Sequence, residues 1–251
     1  MGDFAALFNL GELENILGNH EQAKALFLQN LVLTKELNDA DGICDSLLGL
    51  GKTESLQSNY RQAFDAYKEA LVIAREKGIK LTIVLLLNLL GDIALEIGDY
   101  LQAQLYVEES MKIAQSAGYT YAIAHCYLLI GKLARYKKNY QDGLTMIYQS
   151  LAMIHDVNYD KSFLGYILLE FIAQDVNLNK FTEAVHLFGA IEETLPLIYN
   201  DILPTSRAEY ERIIALTHAK LGEKTYKVFH AEGRAMTMEQ AIEYVLKEPE
   251  K

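Results

Sequence analysis

The five residues Gly49-Leu50-Gly51-Lys52-Thr53 end like a phosphate-binding loop, G-x-x-x-x-G-K-[ST], in which free backbone N–H groups and a lysine cradle nucleotide phosphates. Ser46 stands where the motif needs its first glycine, and the preceding "NDADGICDS" is too polar for a buried strand. Such a cradle requires a strand, a loop with unbonded N–H groups and then a helix. The other reactive residue types are dispersed. Of six histidines, His20, His125, His155, His186, His218 and His230, no two show the H-x-x-x-H spacing of a helical metal site. Cys44 and Cys126 lie in no CxxC or Cys/His cluster, which suits two buried small apolar residues in a reducing compartment. "HAEGR", His230 to Arg234, could act as an acid–base cluster, but a solvated helix face ending near Gly233 is the expectation. The carboxylate pairs Glu108-Glu109 and Glu192-Glu193 read as exposed helix surface. No catalytic residue, cofactor or metal ligand is therefore expected, and the chain is not expected to be an enzyme.

Composition agrees with a packed, acidic protein. The 251 residues are 51% hydrophobic, enough for a sizeable core, and 34 acidic against 23 basic side chains give a net charge of −11. The clustered lysine and arginine of a nucleic-acid footprint are missing, so no nucleic-acid partner is expected. The apolar run "LTIVLLLNLL", Leu81 to Leu90, is about half the length of a membrane span, and "MGDFAALFNL" lacks the basic segment and apolar core of a leader. No membrane partner and a cytoplasmic location are the expectation.

The elements that position these residues follow from a period of forty. "LGELENILGNHEQAKALFLQNL" from Leu10 aligns with segments beginning at Leu50, Leu90 and Ile130. Gly11, Gly51, Gly91 and Gly131 recur at 40-residue intervals, as do His20, Tyr60, Tyr100 and Tyr140, and Ala23, Ala63, Ala103 and Gly143. In each copy two stretches of 3.6-residue apolar periodicity flank a short break, which predicts an antiparallel helical hairpin. Glycine inside a helix costs up to about 1 kcal/mol relative to alanine. Four in one register imply a close helix approach, with the small residue of the second helix facing it and the turn aromatic wedged between the helices. A hairpin cannot bury both its faces, so the units should stack into a right-handed superhelix with a concave surface.

The pattern of Leu-Gly, a turn aromatic and Ala-x-x-x-aromatic (Ala23 to Phe27, Ala63 to Tyr67) resembles the tetratricopeptide repeat (TPR). It departs from the usual period of about 34 residues and from the usual proline and tryptophan. Six extra residues per unit would add about 9 Å of helix, as in a long-helix subtype of the family. The expected fold is all-α: a TPR solenoid of about five hairpins over 1–195 (about 1–40, 41–80, 81–120, 121–160 and 161–195), then a helical cap over 196–251. The fifth hairpin has Ala184 and Phe188 one residue late and Ile172 in the glycine slot. Pro196 and Pro204 bracket an expected irregular crossover, followed by helices near Thr205–Leu221, Glu223–Arg234 and Met238–Leu246, the last capped by Thr237. Pro249 lies beyond them.

In this family the first helix of each hairpin lines the groove, which places Phe8, Glu12, Asn15, Leu48, Lys52, Ser55, Asn88, Asp92, Leu128, Lys132 and Arg135 on a candidate partner-binding face. The mixture suits an extended peptide or a partner helix. The same face could equally be solvated or filled by the chain's own C-terminal helices. Phe8 and Glu12 stand where a chaperone-tail clamp wants Lys and Asn, so binding of that kind is not expected.

The end of the chain is similar to the C-terminal region of bacterial STAND-class signal-transduction ATPases, including LuxR-type (MalT-like) regulators. Leu187-Phe188-Gly189-Ala190, Tyr210-Glu211-Arg212, Leu221-Gly222, Phe229, Glu232-Gly233-Arg234 and Met238-Glu239-Gln240-Ala241 carry the likeness. It implies a non-catalytic interaction scaffold serving as the sensor or regulatory arm of a signalling or transcriptional regulator, with an ATPase module upstream or in trans. The alternative is an inducer sensor that encloses a small molecule between the groove and the C-terminal helices.

Overall fold

A computed structural model describes residues 3–154 and 161–247; His155 and Pro249 lie outside the described residues. Helices begin at nearly constant intervals: α1 (Asp3–Ile16), α2 (His20–Glu36), α3 (Ala40–Leu56), α4 (Tyr60–Lys77), α5 (Lys80–Glu96), α6 (Tyr100–Ala117), α7 (Thr120–Tyr136) and α8 (Tyr140–Ile154). No strand occurs among the described residues. The chain forms two compact units, Met1–Ala122 and Ile123–Lys251.

Each turn is built the same way. One left-handed residue recurs every twenty positions at Gly18, Asn38, Ser58, Gly78, Gly98, Gly118 and Lys138. The next amide reaches back to the last helical turn, as Asn19 N–H does to Glu14 C=O and Asn59 N–H to Glu54 C=O, both at 2.8 Å. These bonds satisfy carbonyls that a helix end leaves open.

In the first unit, α1 to α6 form three hairpins around Phe27, Tyr67, Leu86, Leu90 and Ile93, all buried. The glycine register has a more specific reason than the expected glycine–alanine contact. A Cβ on Gly11 would lie 2.8 Å from the Phe27 ring, and one on Gly51 would run into the Tyr67 ring. The partner is thus the aromatic four residues beyond the alanine. In the second unit Ile147 takes that place, 2.5 Å from a Cβ on Gly131. Gly51→Leu is expected to cost about 1 to 3 kcal/mol by overpacking. Urea unfolding followed by circular dichroism would check this, and an unchanged midpoint would contradict the packing.

The second unit continues with α9 (Lys161–Asn177), α10 (Phe181–Ile191), a single 3-10 turn, α11 (Leu195–Asp201), α12 (Pro204–Leu221), α13 (Glu223–Arg234) and α14 (Met238–Leu246). The segment between the two prolines, expected to be irregular, is largely the short helix α11, with Pro196 in its first turn where a missing N–H costs nothing. Its Ile198 fills the notch left by Gly165 on α9. The left-handed turn residue before α10 is Asn179, one position late, matching the shifted slots of the fifth hairpin. Helix α9 is buried from Ser162 to Val176, including Glu170 and Gln174, because α8, α10, α11 and α12 surround it. Thr237 closes the start of α14 as a capping box with Gln240.

Candidate functional site

In the first unit α1, α3 and α5 lie side by side and present one face of the repeat. Gly49, Gly51 and Lys52 sit inside α3, whose N–H groups are committed to helix bonds. Lys52 Nζ contacts Glu12 Oε2 at 2.9 Å, so residues forty positions apart pair across neighbouring first helices. Phe8 packs edge-on to Phe27 with centroids 5.6 Å apart. Leu48 and Asp92 are half-buried.

Three of the expected face residues point inward. Asn15 Nδ2 donates to Thr53 Oγ1 at 2.9 Å, Ser55 Oγ donates to the Gly51 carbonyl at 2.8 Å, and Asn88 is buried. Two residues outside the expected set complete the face: Leu81 and Leu85, 59% and 42% exposed. They precede Asn88 by seven and three residues, the helical spacing by which the sequence could have disclosed them. On α3 the same slots hold exposed Asp41 and Asp45. The Cys44 thiol behind them is pushed up to about 11 by burial and then by the charges of Asp45 and Asp41, which keeps it protonated and unreactive.

Glu54, at the end of α3, is a buried carboxylate held by Lys24 at 2.5 Å and by the Asn59 amide at 2.8 Å. Burial alone would raise its pKa, but these two partners outweigh burial and bring it below the ordinary value. The unfolded chain therefore binds the proton more readily. Glu54 stabilises the fold above the unfolded glutamate value of about 4.3, and this contribution disappears as pH falls through the lower folded value. The Lys24→Ala chain is expected to lose less stability than wild type between about pH 5 and pH 3. Urea midpoints across that range would show parallel losses if the pair were unimportant.

In the second unit the expected face is enclosed by the chain itself. Leu128, Lys132 and Arg135 of α7 are buried, and α9 and α12 together contribute the groups that meet the two cations. Lys132 Nζ donates to Tyr166 Oη at 3.2 Å and to Ser206 Oγ at 3.0 Å. Arg135 forks onto Glu170 through Nε and Nη2, both at 2.9 Å, and its Nη1 reaches Glu209 at 2.7 Å. The Tyr210 hydroxyl donates to Glu170 Oε1. Burial, and then the Glu170 charge, lift Tyr210 well above the ordinary tyrosine range, so it remains a neutral donor. Burial would lower Arg135, but the charge of Glu170 more than offsets this and fixes the guanidinium as a cation. Of the two occupants left open by the sequence, the C-terminal helix α12 meets Lys132 and Arg135.

Beside this network lies an open cleft of about 310 Å³, bordered by Tyr136, Lys138, Tyr140, Arg212, Ile213 and Leu216. In the "HAEGR" segment Ala231, Glu232 and Arg234 are exposed, as a solvated helix face requires, while His230 is half-buried. Gly233 is buried inside α13, where its Cα lies 3.1 Å from the position of a Cβ on Gly189. His230 stacks on Tyr226, with centroids 5.4 Å apart, and its Nε2 lies 3.5 Å from Glu192. Two glycines allow α10 and α13 to touch backbone to backbone at this point. Among the described residues, no group of three or more His, Cys, Asp or Glu could hold a metal ion, and no helix is long and apolar enough to cross a membrane.

This architecture is an all-α helical repeat of the tetratricopeptide type. The tetratricopeptide-repeat family model matches residues 3–76, which covers α1 to α4 almost entirely. The crystal structure of BtubC (BKLC) from P. vanneervenii has the same fold, with a TM-score of 0.59 at 18% sequence identity. The match covers 83% of this chain and 78% of that one. No curated protein matches the sequence.

Proposed function

We propose that the chain is a non-catalytic protein-interaction scaffold, cytoplasmic, serving as the regulatory arm of a signalling or transcriptional regulator that works with an ATPase module in cis or in trans. TPR domains typically bind proteins. The observation that carries the reading here is the α1–α3–α5 face, where exposed Leu81 and Leu85 stand near half-buried Phe8 and Leu48. Glu12, Asp41, Asp45 and Asp92 outnumber Lys52 among the charged residues placed on that face, which favours an amphipathic segment with basic side chains. The regulatory part of the reading rests on the C-terminal residues that resemble STAND-class regulators, and thus on fold-level analogy.

Affinity capture from the native host tests the proposal. A partner retained by wild type and lost with the Leu81→Glu/Leu85→Glu chain supports it. A partner retained equally by both would place recognition elsewhere.

The cleft beside Arg135 favours a second reading, a small-molecule sensor with an anionic ligand near Lys138 and Arg212. Native mass spectrometry of the purified protein would reveal a bound metabolite, and its loss in Arg212→Ala would support this reading. A ligand-free spectrum with no calorimetric response to host metabolites would oppose it.

A further inference from the structure

The arginines of the chain divide by partner. Arg75, Arg135, Arg207 and Arg234 each bind a carboxylate, that of Glu109, Glu170, Glu211 and Glu192 respectively. Arg61 and Arg212 meet none among the described residues, although acidic side chains outnumber basic ones 34 to 23. Each of these two borders a cleft. Arg212 stands at the one beside Arg135, and Arg61 at a second, of about 350 Å³, formed in the first unit by the start of α4, the end of α5 and the start of α6.

The second cleft exists because this repeat lacks what fills the same place in the repeat before it. Forty residues earlier, Lys24 pairs with Glu54 at 2.5 Å, Gln57 Nε2 donates to Glu21 Oε1 at 3.1 Å, and Asn59 Nδ2 donates to Glu54 Oε2 at 2.8 Å. In the later copy Phe64 replaces Lys24, Ala94 replaces Glu54, Arg61 replaces Glu21 and Ile97 replaces Gln57. These four side chains offer one another no hydrogen-bond pair. What remains is a wall of Tyr60, Phe64, Ala94 and Ile97 with a cation at its rim. The Phe64 ring is already set, with its centroid 6.2 Å from that of Tyr106 and 5.7 Å from Lys68 Nζ. Asp99 borders the cleft as well, but its Oδ1 accepts from Gln102 N–H at 3.0 Å, so its charge serves the positive end of α6.

We propose that this cleft binds a small aromatic carboxylate, its ring against Tyr60, Phe64 and Ile97 and its carboxylate on the Arg61 guanidinium. The volume is at the lower end of ligand pockets, which suits a single ring with a short acidic arm. Aromatic walls favour a ring by offset or edge-on packing. A guanidinium presents a planar fork that matches a carboxylate with two parallel hydrogen bonds, as Arg135 does to Glu170 elsewhere in this chain. The site is apart from both the α1–α3–α5 face and the cleft beside Arg135, so it stands or falls independently of them.

The test is calorimetry of the full chain with phenylpropionate. Wild type is expected to bind it saturably, and to bind the neutral phenylpropionamide at least about tenfold more weakly, the loss of one charge-assisted contact. Arg61→Ala should weaken phenylpropionate binding by a similar factor. Arg61 is exposed and has no carboxylate partner, so this variant should keep the wild-type circular dichroism and thermal midpoint. Phe64→Lys/Ala94→Glu, which installs the Lys24–Glu54 pair of the preceding repeat, should abolish binding, whereas Arg212→Ala should bind as wild type does. No saturable binding, equal affinity for acid and amide, or affinity that survives Arg61→Ala would overturn the proposal. So would binding lost in Arg212→Ala, which would assign the ligand to the other cleft.

Discussion

Replacing Arg135 with alanine should destabilise the second unit by about 3 to 5 kcal/mol, the range seen when one partner of a buried ion pair is removed. The loss has a specific origin. Glu170 is fully buried, and without the guanidinium it retains only the Tyr210 hydroxyl among its described partners. Glu209 loses its 2.7 Å contact as well, which loosens α12 from α7. The double replacement Arg135→Met/Glu170→Leu should recover most of the loss, because removing both charges also removes their desolvation cost. Urea unfolding followed by circular dichroism would measure both variants. With two compact units, the transition must be tested for a second step before a single free energy is extracted. Equal losses in the single and double variants would show that packing volume, not charge pairing, holds α12.

Gly189→Val should be nearly as damaging, about 3 kcal/mol, at the upper end of overpacking. A Cβ at Gly189 would run into the His230 carbonyl and lie 2.9 Å from the Arg234 nitrogen. These obstacles are backbone atoms, so no rotamer change can make room. Helix α13 would have to move off α10, parting His230 from Phe188, whose rings are 5.6 Å apart, and Arg234 from Glu192 at 3.2 Å. A lowered thermal midpoint with increased protease cleavage between α12 and α13 is the expected result. A midpoint within a degree of wild type would mean that the two helices are not in backbone contact.

The repeat was legible because every turn imposes the same local chemistry. A left-handed residue recurs every twenty positions from Gly18 to Lys138 and glycines face the Phe27 and Tyr67 rings, so the forty-residue spacing disclosed the hairpins, while helix limits were read from the sequence only for the last three helices. The α11 helix was hidden by its flanking prolines, which mark a boundary without saying whether the residues between them coil. The family resemblance placed candidate residues on one face of α1, α3 and α5, but carried no information on the depth of each. Asn15 and Ser55 turn inward because Thr53 and Gly51 accept from them, and the pattern contains no sign of that choice. The α12 partners of Lys132 and Arg135 lie 74 residues away, beyond any local signal. The same holds for Gly189 and Gly233, each of which alone looks like an ordinary helix glycine.

Within the second unit α12 is held on α7 by polar pairing, and the α1–α3–α5 face of the first unit stands as the proposed partner surface. Hydrogen exchange of residues 204–221 in wild type and in Arg135→Ala measures this directly. Protection of α12 comparable to that of α9 in wild type, falling by at least tenfold in the variant while α3 and α5 are unchanged, is the predicted result. Rapid exchange of α12 in wild type, or protection unaffected by the loss of Arg135, would contradict it.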